Sequence, residues 1–239
     1  MRFRKIYDLC VYTSPFSQGG NLEAMLRVAE KLSIKGIALP GFEDYKQLSE
    51  KYKLLDEVKG RFRVELYTRA NISTLSVKEA VKLVNKLRRK IDLICIKASH
   101  KTLVNYALRD KRVDLILLEP YPDFKITASL FSLARQNDIA IELHLAHLLR
   151  AEGLSRSKLI GFYKLITAYS TKENAPLILS SGAKNWYELR DFPALSSMSK
   201  VLGLSKEAVL NSTINYPKKI INRNMFLKSS KLPCGVEVL

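Results

Sequence analysis

Short apolar runs separated by stretches of helical periodicity recur along the chain, and this alternation predicts repeated βα units around a parallel sheet. Seven runs read as strands, at 6–12, 36–39, 63–67, 91–96, 113–118, 139–143 and 176–179. Several are continuously apolar, as in Leu93-Ile94-Cys95-Ile96 and Leu115-Ile116-Leu117-Leu118, which suits strands covered on both faces. Between them, helix starts are legible. In Ser76-Val77-Lys78-Glu79 the serine hydroxyl can cap a free amide while the glutamate reaches back, and Val77, Ala80, Val81, Val84 and Leu87 then form one stripe. Asn21 likewise precedes Leu22, Met25, Leu26, Ala29 and Leu32, with Gly36 reading as a stop. After residue 179 the pattern predicts helices alone, over 194–202, over 205–211 and from Pro217, whose fixed φ suits a first turn. Residues 225–239 carry Lys228, Lys231, Pro233 and Gly235 without a helical period and are expected to be loosely ordered. The expectation is one α/β domain over 1–224 followed by a tail, with a TIM-like βα barrel favoured over a doubly wound open sheet by the regularity of the units.

Composition then narrows the partners. A chain of 239 residues, 47% hydrophobic and 26% charged, suits one undivided barrel. Its 40 Lys and Arg against 23 Asp and Glu give a formal charge of +17 and call for a polyanionic partner. A membrane surface is disfavoured, because no basic amphipathic helix or long apolar span is visible. Cys10, Cys95 and Cys234 are far apart, the first two inside apolar runs, and read as small buried hydrophobes. With no leader-like start, a cytoplasmic location is expected.

In a βα barrel the working surface is built from loops at the carboxyl ends of the strands. Those positions hold Thr13 and Ser14, Pro40 and Gly41, Arg69, Lys97 with Ser99 and His100, Glu119, His144, and residues 180–184. A hydrolytic metal centre wants several converging His and carboxylate ligands, and few are present. Glu142, His144 and His147 form Glu-x-His-x-x-His, but no further His or Cys pattern supports a metal there.

The first strand, Tyr7-Asp8-Leu9-Cys10-Val11-Tyr12-Thr13, resembles the opening Asp-Leu-His-Val-His of the polymerase and histidinol phosphatase (PHP) superfamily, with Cys10 and Tyr12 at the two histidine positions. Ser181-Gly182-Ala183-Lys184 resembles that superfamily's closing Ser-Asp-Ala-His, with Gly182 at the aspartate and Lys184 at the histidine. A cation thus stands where a cation's ligand would be. Taken with Ile91-Asp92-Leu93-Ile94-Cys95-Ile96-Lys97, Leu179-Ser180-Ser181-Gly182-Ala183, Leu189-Arg190-Asp191-Phe192-Pro193 and Asn215-Tyr216-Pro217, the chain resembles the archaeal ribonuclease P protein component 3 family. The resemblance implies a non-catalytic subunit of the ribonucleoprotein that removes 5′ leaders from precursor tRNA. It implies that the RNA, with its own magnesium, is the catalyst, and that this chain needs no cofactor. The partners it implies are ribonuclease P RNA, precursor tRNA indirectly, a small ferredoxin-like subunit and the other ribonuclease P proteins.

Candidate RNA- or partner-binding residues follow. Lys86, Arg88, Arg89 and Lys90 crowd the end of the Ser76 helix, where cations also complement the helix dipole, and Arg88 and Arg89 are singled out. Arg69, Lys97 and Lys184 stand at strand ends, and Arg156 and Arg190 fall in family-like motifs, although Arg190 could instead tie down carbonyls near Pro193. Tyr12, Tyr67 and Trp186 could stack on unpaired bases or fill core. The alternative function is a divergent PHP-like phosphoesterase with a residual metal centre at Asp8, Glu119, Glu142 and His144.

Overall fold

The computed structural model describes residues 4–98 and 100–229; the expectations for Ser99, Lys231, Pro233, Cys234 and Gly235 lie outside the described residues. Each of the seven apolar runs forms a strand: β1 (Ile6–Asp8), β2 (Ile34–Pro40), β3 (Glu65–Ile72), β4 (Leu93–Ala98), β5 (Leu115–Leu118), β6 (Ala140–His144) and β7 (Leu177–Ser180). All neighbours pair in parallel and in chain order from β1 to β7, which excludes a doubly wound sheet. Closure comes from the chain just beyond the two outer strands. Val11 bridges Ala183, Tyr12 N donates to Ala183 O at 2.8 Å, and Gly182 N donates to Cys10 O at 3.0 Å. The fold is a nearly closed TIM-like barrel ringed by helices.

Period-two alternation assigns one column of each strand to the interior. Toward the amino-terminal end these columns are apolar, with Tyr7, Tyr67, Leu93, Leu115 and Ala140 in one cluster. Toward the carboxyl end the same columns turn polar at Arg69, Asn71, Lys97, Glu142, His144 and Ser180. This gradient explains why β3 runs to Ile72, five residues beyond the expected end: the run loses its hydrophobicity where the barrel interior becomes polar.

Helix α1 (Leu22–Lys31) begins as expected, with Asn21 accepting from Ala24 N at 3.0 Å. Its stop is Ser33 at φ 57°, not Gly36; Gly36 lies in β2, where a Cβ would come within 2.9 Å of the Tyr7 and Tyr67 rings. In α3 (Val77–Leu87) Ser76 accepts from Glu79 N at 3.4 Å, while Glu79 bonds Thr74 Oγ1 rather than closing the box.

The α-helix α10 (Tyr216–Ser229) starts one residue before Pro217, which lies in its first turn as expected, and a π turn at Asn211–Asn215 joins it to the helix ahead, so the helical run over 206–229 is continuous. Residues 225–229 are therefore helical, correcting the expectation of a loose tail from 225. Ile220 and Ile221 of α10 join the interior cluster and form its floor. A buried ionic clamp fixes them: Asp114 takes Arg88 Nη1 at 2.7 Å and Arg223 Nη2 at 2.8 Å, and Asn224 Nδ2 donates to Asp92 O at 2.8 Å.

Candidate nucleic-acid interface

The open, carboxyl-terminal end of the barrel contains a buried polar cluster beneath a cationic rim. At the centre Arg69, 0% exposed, meets Glu142, also 0% exposed, through two parallel contacts of 2.7 and 2.5 Å. Two further guanidinium hydrogens go to Asn71 Oδ1 at 2.7 Å and Leu9 O at 2.5 Å. Glu142 also accepts from Ser180 Oγ at 2.6 Å. Burial alone would raise the Glu142 pKa, but the Arg69 guanidinium overrides it and holds the carboxylate well below its usual range. The charge that burial penalises is thus matched atom for atom.

His144 Nε2 lies 3.4 Å from Glu142 Oε2 without making a hydrogen bond. Burial opposes its charge, but Cys10 and Glu142 prevail and lift its pKa to about 10. Asp8 accepts from Ser181 N at 3.0 Å and Cys10 N at 3.3 Å, yet burial pushes its pKa up to about 6. Gly182 has φ 60°, and a Cβ there would stand 2.7 Å from the His144 ring, so the position has no room for a carboxylate. Glu119 pairs with Lys97 at 3.8 Å.

The donor set does not fit a metal. Asp8, Glu119 and Glu142 are engaged separately, by backbone amides, Lys97 and Arg69; His144 lies near Glu142 alone, a guanidinium supplies the central positive charge, and no three metal-type ligands converge among the described residues. The residual metal centre expected for a phosphoesterase is not assembled.

The rim is strongly positive. The His147 pKa is driven down to about 4 by burial and then by the positive charges of His144, Arg150, Lys97 and Lys184. Beside them a cleft of about 270 Å³ is lined by Tyr12, Pro40, Glu43, Lys51, Asn71 and Lys97.

Of the sequence-predicted residues, Lys97 is partly exposed on this rim, and Lys184 and Arg156 are exposed. Arg89 is exposed, at the end of α3. Arg69 and Arg88 are corrections. Both are buried in ion pairs, with Glu142 and Asp114, and present no surface to a partner. Arg190 adopts the structural alternative, donating to Tyr187 O at 2.6 Å and Leu189 O at 2.8 Å, and stays partly exposed. Tyr67 fills core. Sequence reasoning missed Arg150 and Lys51; the signal for Arg150 was its place in the loop after β6, on the short helix α6 (Ala146–Arg150).

The family model for RNase P subunit p30 matches residues 5–229. The chain belongs to that family. Similar proteins include ribonuclease P protein component 3 of Methanosarcina mazei, 27% identical over 92% of this chain and 90% of its own length. That of Methanococcus maripaludis is 24% identical over 85% and 87%. Among solved structures, a chain of archaeal ribonuclease P with mature tRNA superimposes with a TM-score of 0.81 at 20% identity, over 97% of both chains. Zinc-containing histidinol phosphate phosphatase from Lactococcus lactis shares the fold at TM-score 0.52 and 10% identity, over 92% and 94%. The family is therefore built on a barrel that a metalloenzyme also uses. Among the described residues no helix is long and apolar enough to cross a membrane.

Proposed function

We propose that this member of the ribonuclease P subunit family is non-catalytic, binding and stabilising the catalytic RNA while that RNA, with its own magnesium, removes 5′ leaders from precursor tRNA. The observation that carries this reading is the Arg69–Glu142 pair, which fills the mouth of the barrel with a neutralised ion pair where a hydrolase would place ligands and a bound water. The charge of +17 supports contact with phosphates through counterion release, largely independent of base sequence.

The cations assigned to that contact are the exposed Arg89, Arg156 and Lys184 and the partly exposed Lys97, joined by Arg150 and by the partly exposed Lys51. The assembly is completed by a small ferredoxin-like subunit and other ribonuclease P proteins, precursor tRNA is met indirectly, and the place of action is the cytoplasm.

Reconstitution with cognate RNA and partner proteins tests the reading. Adding the chain should raise precursor-tRNA cleavage at moderate magnesium, and its binding to the RNA should weaken steeply between low and moderate salt. Cleavage that is unchanged, together with RNA binding that is absent or insensitive to salt, rejects the proposal.

A further inference from the structure

The loop after β7 ends in a single 3-10 turn, Trp186–Glu188, and this turn is unusually well braced. Glu188 is buried and accepts from Lys184 N at 2.6 Å, from Asn185 N at 3.2 Å and from two Arg150 nitrogens at 2.6 Å each. Asn185 completes a capping box with Glu188, and its Nδ2 donates to Tyr187 Oη at 3.0 Å. Arg190 holds the Tyr187 carbonyl from the other side at 2.6 Å.

All of this fixes the backbone while leaving the rings in solvent. Trp186 and Tyr187 are 54% and 59% exposed, in a T-shaped pair with centroids 5.6 Å apart. Leu189, the one aliphatic side chain of the stretch, is buried at 3%. The surface shown by the turn is thus two aromatic rings with Lys184 and Arg190 beside them and no aliphatic patch.

We propose that Trp186 and Tyr187 form a stacking platform for an unpaired RNA base, with Lys184 and Arg190 meeting the flanking phosphates; this rests on the RNA-binding function above. Bases in a duplex are already stacked, so the platform selects single-stranded loops, bulges or ends. Every base offers a π face, so it discriminates little among them. Exposed aromatic rings and Arg also occur at protein interfaces, but Lys is depleted there, so Lys184 beside the rings favours a nucleotide. The bracing limits the ordering cost of binding, because the turn is already in place.

Trp186 is the only tryptophan of the chain, so tryptophan emission, excited selectively over that of the tyrosines, reports on this site alone. The full chain should show quenching with single-stranded oligoadenylate, and none with a blunt RNA duplex of equal length that binds through charge. Trp186→Ala and Tyr187→Ala should each weaken oligoadenylate binding roughly tenfold, within the range expected for one base-aromatic stack, and leave duplex binding unchanged. Trp186→Phe should keep near-normal affinity, and urea unfolding midpoints verify that the variants fold. Salt-sensitive RNA binding with silent fluorescence and unchanged affinities in the alanine variants overturns the platform while leaving the RNA-binding function standing. No salt-sensitive binding to either RNA overturns both. Loss of a ribonuclease P protein from the reconstituted complex, with oligoadenylate affinity intact, assigns the rings to protein contact and overturns the platform.

Discussion

Arg69 and Glu142 show what a buried ion pair does for a barrel of this kind. Each is fully enclosed, so removing one strands the other's charge. Arg69→Ala should lower stability by about 3–5 kcal/mol, read from urea unfolding, while the double variant Arg69→Met/Glu142→Leu should recover most of the loss. Asp8 behaves oppositely. Its folded-state pKa of about 6 lies above the 3.8 of a free carboxyl, so between about 4 and 6 the folded protein binds more protons than the unfolded chain. Stability from this group is therefore complete below that window and lost as pH rises through it. Asp8→Asn should stabilise the protein by on the order of 2–3 kcal/mol at pH 8, with a gap to wild type that closes toward pH 4. Comparing thermal unfolding of the two proteins across that range cancels the contribution of His147, which has the opposite sign because its pKa is lowered to about 4. A gap independent of pH would reject the assignment to Asp8.

Among the elements, the seven strands and the capped helices were legible because periodicity and caps are local signals. The end of β3 was not, since its apolar run stops where the interior turns polar, and that boundary is a property of the closed barrel. For this reason Arg69 read as a surface residue. Arg88 misled for a related cause. A cation at a helix end is ordinarily solvated, but its partners Asp114 and Asn224 lie 26 and 136 residues further along. The neighbours Arg88 and Arg89 should consequently separate by experiment. Arg88→Ala, which leaves Asp114 short of one partner in a buried site, should cost about 3–5 kcal/mol and loosen α10, seen as faster amide exchange there. Arg89→Glu should leave the unfolding midpoint nearly unchanged and weaken RNA binding instead.

At the scale of the whole molecule, charge asymmetry supplied the functional direction and the family motifs sharpened it. The placement of individual cations required the fold, because exposure and burial alternate from one residue to the next. If the chain neutralises Z phosphates of a structured RNA, the logarithm of its affinity should fall with the logarithm of salt at roughly −0.7 to −0.9 per phosphate. Charge reversal at Lys184 or Arg156 should reduce that slope by about one or two contacts without changing the preference for any RNA sequence. A slope unaffected by either reversal would remove that residue from the interface.

The floor of the barrel also bears on how the protein is made. Asp8 binds an amide 173 residues further along, and the apolar layer around Tyr7 is sealed by Ile220 and Ile221. During synthesis β1 is made well before the groups that close its free edge, Gly182 and Ala183, and those that cover its base, Ile220 and Ile221. Loop closure of that length is paid for before its contacts form. The nascent chain thus carries β1 with one edge paired to β2 and the other edge and its apolar base uncovered until α10 is made, and its demand for chaperone protection is set by the late arrival of that helix.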